Sequence, residues 1–217
     1  MSTTSAEQET TRLLEGAAQL EITFGRDDAI RLLSFLDLFY SWNAYAGFTS
    51  IARSDAVRLH LLDSLALIPY VRDAGFVVDL GSGGGMPGLP LAMCLSGSRF
   101  ALVESRRRRC NFLREAIRQL GLGDRVTVFE SDARRLATTI PERADVVVAR
   151  AFVGPDELIR ISHPLLKSSG RLVVMAGDGD VSPAQDASPG FAFERSNRFE
   201  LPGGTEKRSI TIARRLG

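Results

Sequence analysis

A short apolar stretch runs directly into a glycine-rich turn at Val78-Asp79-Leu80-Gly81-Ser82-Gly83-Gly84-Gly85-Met86-Pro87-Gly88. No other feature of the chain constrains its fold as strongly. Phe76-Val-Val-Asp-Leu80 is too short for a helix and reads as a buried strand, while Leu89–Leu95 reads as a helix. A strand that passes through glycines into a helix is the opening unit of a doubly wound α/β sheet. Such a sheet binds its ligand at the carboxyl ends of its strands. Glycine lets the backbone turn tightly and approach a ligand, and the amides at the helix start face the same crevice.

The rest of the chain repeats the alternation. Strands are expected at Phe100–Val103, Val126–Phe129, Asp145–Ala149 and Gly170–Met175. Helices are expected from Ser105, as cap, to Leu120, stopped by Gly121, and from Asp156 to about Leu166. Residues 176–190, rich in Gly, Asp, Ser and Pro, read as a loop. Phe191–Arg198 and Arg208–Ala213 then read as an antiparallel pair closing one edge. The expected architecture is α/β and Rossmann-like, with a mainly parallel seven-stranded sheet, an antiparallel C-terminal strand pair and N-terminal helices. Upstream, Asp27 to about Trp42 is amphipathic, with Ile30, Leu33, Leu36 and Leu38 near one face, Phe39 and Trp42 extending it, and Asp27 or Asp28 as cap. A second helix is expected from Asp55 to about Leu67, ending near Pro69, and residues 1–12 read as frayed. The expected organisation is a helical extension over residues 1–70, packed on a core over residues 71–217.

Composition limits the partners. The 217 residues are 44% hydrophobic and 24% charged, which suits one globular unit. No apolar run approaches the roughly 18 residues of a membrane span, and Met1–Thr11 lacks the apolar core of a signal peptide. Cys94 and Cys110 match no metal or redox spacing. These features lead to the expectation of a cytoplasmic protein without membrane or metal, and a monomer. Net charge is +1, yet of 27 basic residues only Lys167 and Lys207 are lysines. Arginine suits phosphate and base recognition, but a GC-rich genome also favours it. An RNA role therefore has to rest on local clusters such as Arg106-Arg-Arg-Arg109.

Two ligands compete for the glycine turn. Gly83–Gly88 matches G-x-G-x-x-G, and Glu104 ends the next strand where it would grip a ribose, which suits NAD. The other reading starts earlier, at Asp79-x-Gly81-x-Gly83-x-Gly85. An acidic residue two positions before the first glycine suits the cationic S-adenosylmethionine, whose amino-acid end Asp79 would face or help organise. Pro87 removes one amide donor, a poor choice for a pyrophosphate cradle. S-adenosylmethionine is the favoured ligand; a turn with no ligand is the plain alternative.

Several motifs together carry a family resemblance. Asp79 to Leu91 follows a DxGxGxGxPGxPL pattern, His60-Leu-Leu-Asp63-Ser64-Leu65 gives His-x-x-Asp-Ser-Leu, and Trp42-Asn43 precedes Thr49-Ser50. Phe112-Leu113 and Arg150-Ala151 complete the set. From about Phe39 to Arg214 the chain resembles the bacterial ribosomal RNA methyltransferases once called glucose-inhibited division protein B. Those enzymes methylate N7 of a guanine in 16S (small-subunit) ribosomal RNA using S-adenosylmethionine. The resemblance implies a class I S-adenosylmethionine-dependent methyltransferase acting on 16S ribosomal RNA or the small ribosomal subunit. By it, Gly81 and Met86, with Gly83 and Gly85 in the same turn, line the methionine and ribose region, and Glu104 holds the ribose. Asp132, Ala133 and Arg134 sit at the adenine, and Arg150 lies beside cofactor and base. The chain departs from the family pattern at Gly47 and Phe48, at Leu59, at Asp132-Ala133-Arg134 and at Ala176.

Guanine N7 carries a free lone pair, so methylation needs no general base. Positioning in line with the S–CH3 bond can supply most of the catalysis. His60, Asp63 and Arg150 are the candidates for that work. His60 would contact the base or order the pocket, or else be a helical histidine bonded to a neighbour. Asp63 would anchor Arg150 or cap a turn. Arg150 follows a buried strand at its ligand-binding end. Arg106–Arg109 would meet phosphates or form a solvated helix face, and Trp42 would be a packing anchor. The alternatives are a methyltransferase for another RNA or a small molecule, a NAD-linked oxidoreductase, and a non-catalytic RNA-binding assembly factor.

Overall fold

β1 (Phe76–Leu80) is buried at every position and lies between β2 (Arg99–Glu104) and β4 (Ala144–Arg150), parallel to both. β3 (Val126–Glu130) adds parallel to β2, and β5 (Leu166–Ala176) parallel to β4. The order therefore reverses beside β1, and the carboxyl ends of β1 and β4 face a topological switch point. The antiparallel pair β6 (Phe191–Glu200) and β7 (Lys207–Arg215) closes the sheet, with β7 against β5 and β6 at the edge. The seven strands run β3-β2-β1-β4-β5-β7-β6, the expected architecture. These statements rest on a computed structural model that describes residues 3–138, 140–150, 153–177 and 190–217. The loop expected over 176–190 and Ala151 of the Arg-Ala motif lie mostly or wholly outside them.

Neighbouring strand residues feed opposite apolar layers, as a period of two requires. Val77, Leu102 and Val148 join Phe35, Leu36, Leu61 and Phe112 on one face. Val78, Val103 and Val147 join Leu158, Ile161 and Leu165 on the other.

The first face is covered by the N-terminal helices. The chain read as frayed over 1–12 is helical from Thr3: α1 (Thr3–Gln19) buries Thr10, Leu13 and Ala17 at helical spacing. Arg53 bonds Glu9 of this helix at 2.8 Å and ties it to the chain beyond α2. α2 (Arg26–Ala46) is capped by Gly25, with Asp27 and Asp28 inside its first turn. Its buried stripe runs Ala29, Leu32, Leu33, Phe35, Leu36 and Phe39; Ile30, expected in that stripe, is 49% exposed. The helix ends where Gly47, at φ 62°, donates its N–H to the Asn43 carbonyl. That left-handed conformation gives the departure at Gly47 a structural reason.

The second expected helix is broken into short pieces between Arg53 and Val71. A tight turn at Arg53–Asp55 leads into wide π turns over Val57–Leu62, then α3 (Asp63–Leu65) and α4 (Ile68–Val71), which holds Pro69 in its first turn. The widened turns bury Val57, His60, Leu61 and Leu62, and α3 continues the buried run through Asp63, Ser64 and Leu65. After β1 comes α5 (Gly88–Cys94), and α6 (Arg107–Leu120) follows β2. Its cap is Arg106 rather than Ser105, and Gly121, at φ 65°, stops it. α7 (Pro155–Ser162) is shorter than expected; a tight turn at His163–Leu165 contains Pro164, which has no N–H to continue the ladder.

Helical layer and glycine turn meet at Gly84. A Cβ there would lie 2.3 Å from Phe39 Cε2 and 3.0 Å from Phe48 Cγ. Phe48 in turn stacks on Phe39 with centroids 4.9 Å apart and packs on Phe112 at 4.7 Å. Gly84→Ala should therefore destabilise by about 1–3 kcal/mol through overpacking, read as a lower denaturation midpoint at unchanged m-value. Wild-type stability would show that the aromatic cluster yields freely.

Candidate active site

The turn after β1 is held open by carboxylates. Asp79 is 1% exposed, and its Oδ2 accepts the Gly88 N–H at 3.1 Å. A Cβ on Gly88 would lie 2.4 Å from Leu102 Cδ2 and 2.6 Å from Asp79 Oδ2, so α5 approaches the sheet this closely only with glycine here. Asp79 Oδ1 has no partner among the described residues, and burial pushes the carboxyl up to about pKa 6. Asp79 thus lies beneath the turn and organises it, rather than lining the crevice. Gly85 also faces inward, packed toward Leu89 and Leu113.

Glu104 works from the other side. Its Oε2 accepts the Gly83 N–H at 3.0 Å and its Oε1 the Arg106 N–H at 2.8 Å. The side chain thereby ties the turn, with Gly83 at φ 57°, to the start of α6. Arg106 is still extended, at φ −86° and ψ 112°, so α6 starts one residue later than a Ser105 cap would give.

A crevice opens above these groups at the carboxyl ends of β1, β2 and β4. It has two lobes, of about 490 Å³ and 350 Å³, which share Gly81, Arg109 and Arg150. The smaller lobe is lined by Glu104, Ser105, Ser131, Asp132, Ala133 and Arg134 among others. Arg134 pairs with Glu157 at 2.6 Å, and its N–H bonds Asp132 Oδ1 at 2.9 Å, which holds that carboxyl below its ordinary range.

The larger lobe includes Phe48, Leu59, His60, Asp63, Gly83 and Met86, with Ala176 and Arg208 opposite. His60 is 3% exposed and neither ring nitrogen has a hydrogen-bond partner among the described residues. It packs edge-on against Phe39 at 5.3 Å. Burial, then the Arg150 charge, pushes it down to about pKa 4, so it is neutral at pH 7. Asp63, also 3% exposed, accepts Arg150 Nη1 at 3.0 Å and Arg208 Nε at 2.6 Å. Of its two expected roles, it anchors Arg150.

The crevice thus gathers His60, Asp63, Gly81, Gly83, Met86, Glu104, Asp132, Ala133, Arg134 and Arg150, and leaves Asp79 and Gly85 beneath it. Within the arginine run only Arg109 turns inward, donating to the Gly47 carbonyl at 2.8 Å; Arg106, Arg107 and Arg108 are exposed. Trp42 packs on Phe112 at 5.8 Å, as an anchor would. Arg208 was not anticipated: it stands 145 positions from Asp63, and no local motif marks it. Among the described residues no His, Cys, Asp and Glu cluster has metal-binding form, and no helix is long and apolar enough to cross a membrane.

Comparison with known proteins agrees with this geometry. The family model described as rRNA small subunit methyltransferase G matches residues 29–211, which includes both lobes. A protein named ribosomal RNA small subunit methyltransferase G from Stenotrophomonas maltophilia is 38% identical over 90% of this chain and 86% of its own. Its namesake from Neisseria meningitidis is 32% identical over 94% of this chain and 97% of its own. Among solved structures, TrmN from Thermus thermophilus superposes with a TM-score of 0.59 at 23% identity, covering 71% of this chain and 48% of that one. The [4+2]-cyclase SpnF superposes at 0.57 with 16% identity, covering 72% and 82%. At these identities the structural likeness speaks for the fold alone.

The buried neutral histidine has a measurable consequence. Its folded pKa lies below the unfolded value near 6.5, so the unfolded chain binds the extra proton first. Stability linked to His60 is present above about pH 6.5 and is lost as pH falls toward 4, by up to about 3 kcal/mol. The stability difference between wild type and His60→Gln, from denaturant unfolding at pH 4.5 and 7.5, should shrink toward the acid. A difference independent of pH would contradict the assignment.

Proposed function

We propose that this chain, which belongs to the rRNA small subunit methyltransferase G family, transfers a methyl group from S-adenosylmethionine to N7 of a guanine in small-subunit (16S) ribosomal RNA. The observation that carries the reading is the match of one family model across the entire crevice, from α2 to β7. This substrate would place the protein with ribosomes in the cytoplasm.

The residues fit the methyl donor. Glu104 presents a buried carboxylate at the end of β2, an acceptor for ribose hydroxyls, and Gly81 and Gly83 expose backbone beside it. Asp132, Ala133 and Arg134 edge the same lobe, where an adenine ring would lie. S-adenosylmethionine, when bound, supplies an electrophilic methyl group on a sulfonium. A dinucleotide is less well served. Pro87 withholds one amide donor at the helix start, where its pyrophosphate would lie.

The chain's own groups position rather than react. Guanine N7 needs no deprotonation, and His60 is neutral well above its pKa, so it brings neither a competing proton nor a cation to the base. Asp63 fixes Arg150 at the junction of the lobes. Glu104 and Asp79 fix the turn from above and below. Prefixed groups of this kind lower the barrier through orientation.

Two outcomes are expected. Labelled S-adenosylmethionine and unmethylated small subunits should give one labelled guanine, mapped by chemical cleavage at N7-methylguanine. Cofactor binding without transfer to ribosomal RNA would move the acceptor to another RNA or a small molecule. In addition, Glu104→Gln should weaken S-adenosylhomocysteine at least about tenfold by calorimetry, because one carboxylate oxygen that accepts a backbone N–H becomes a donor. Unchanged affinity would contradict the placement of the ribose.

A further inference from the structure

Part of the wall of the larger lobe is an aromatic ring. Phe48 is half-buried and lines that lobe, and it is not among the residues that line the smaller one. It is also one of the positions at which the chain departs from the family pattern. Gly81, Gly83 and Met86 of the glycine turn line the same lobe, so the ring shares a space with the proposed methionine end of the methyl donor. Apolar surface left facing a water-filled crevice is unfavourable, and a flat ligand that covers it recovers that free energy.

The ring is fixed from several sides. Asn43, in the last turn of α2, brackets the backbone: its Oδ1 accepts the Phe48 N–H at 2.9 Å and the Thr49 N–H at 3.0 Å, and its Nδ2 donates to the Thr49 carbonyl at 2.9 Å. Arg109 holds the preceding residue by donating to the Gly47 carbonyl at 2.8 Å. The ring itself stacks on Phe39, at 25° between planes and 4.9 Å between centroids, and meets Phe112 at 52° and 4.7 Å. A side chain ordered in this way has little rotamer freedom left to lose when a ligand arrives.

We propose that Phe48 is the platform on which the target guanine stacks in the larger lobe. The proposal rests on the methyltransferase reading for the identity of the base. A base that is to react must leave its own stack, and it loses stacking free energy in doing so. An aromatic side chain at the reaction site restores part of it, because every base has a π face. The reaction strengthens the contact. As the S–CH3 bond breaks and the N7–CH3 bond forms, the sulfur keeps the electron pair and the positive charge passes to the purine. The face of a phenyl ring attracts a cation, so Phe48 holds the methylated ring more tightly than the neutral one.

The test compares wild type with Phe48→Leu, which keeps an apolar side chain against Phe39 but removes the flat face, and with Phe48→Tyr, which keeps that face. Each protein is saturated with S-adenosylhomocysteine, and its affinity for labelled 7-methylguanosine 5′-monophosphate is measured by equilibrium dialysis. Phe48→Leu should bind this nucleotide at least about fivefold more weakly, and Phe48→Tyr should bind it like wild type. S-adenosylhomocysteine affinity should be the same in all three. In single-turnover transfer to unmethylated small subunits, Phe48→Leu should lower the maximal rate by a similar factor. The half-saturating enzyme concentration should hardly move, because the rest of the RNA still docks. Dialysis needs no turnover, so the two readings fail separately. A wild type that binds the nucleotide but methylates no ribosomal RNA would sink the ribosomal reading and leave the platform standing for another guanine acceptor. Equal nucleotide affinity of wild type and Phe48→Leu, or no binding by wild type, would make Phe48 a packing residue alone and overturn the proposal, whatever the variant's melting temperature.

Discussion

The edge of the Phe39 ring rests on the backbone of Gly84, and this contact joins the two halves of the molecule. On one side lies the helical layer, whose α2 delivers Phe39 from a stripe that also buries Phe35 and Leu36. On the other lies the turn that ends β1. Phe48, Phe112 and His60 close around the same ring. The turn therefore cannot shift without disturbing a close-packed aromatic cluster, and such clusters resist small displacements. The crevice is correspondingly stiff on this side.

Around that joint, three buried carboxylates serve as brackets. Asp79 holds the start of α5, Glu104 holds Gly83 to the start of α6, and Asp63 holds two arginines. Burying a carboxylate is unfavourable unless its oxygens are met, and the oxygens left over are informative. Glu104 and Asp63 each have a protein donor on both oxygens. Asp79 leaves Oδ1 without a partner among the described residues, and burial raises its carboxyl to about pKa 6. The electrostatics of the site thus come from groups whose protein partners are fixed before any ligand arrives, which is how preorganised sites act.

The sheet was legible because its signals are local. β1 lies at the residues where the apolar run before the glycines placed it, and the other strands differ from expectation mainly by extending further. The end of α6 at Gly121 follows from the glycine itself. Less legible were features set by partners far away in the chain. Thr3–Gln19 looks polar until the stripe of Thr10, Leu13 and Ala17 is matched with the face it covers. Ser105 is a good cap by type, but the backbone stays extended through Arg106 and the helix begins one residue later. The widened turns over Val57–Leu62 have no pattern in sequence, since an extra residue per turn leaves the residue types unchanged. At the site, motifs pointed to His60, Asp63 and Arg150. Nothing near Arg208 reveals that it meets Asp63, because that contact exists only once β7 is paired. Asp79 shows the converse, a conspicuous acidic residue whose work is beneath the crevice.

The position of β7 bears on the order of assembly. β6 precedes β7 in the chain, yet β7 lies between it and β5. β6 therefore has no ladder to join until the strand that follows it is in place. The two must enter as a hairpin, and β7 must find β5 across the stretch that separates them. Non-local pairing of this kind slows folding. Arg208 lies in β7 and reaches Asp63 only where this hairpin is docked on β5. The guanidinium of Arg208 therefore joins the lining of the larger lobe through the same strand pairing that closes the sheet, and the edge of the fold is also a wall of the crevice.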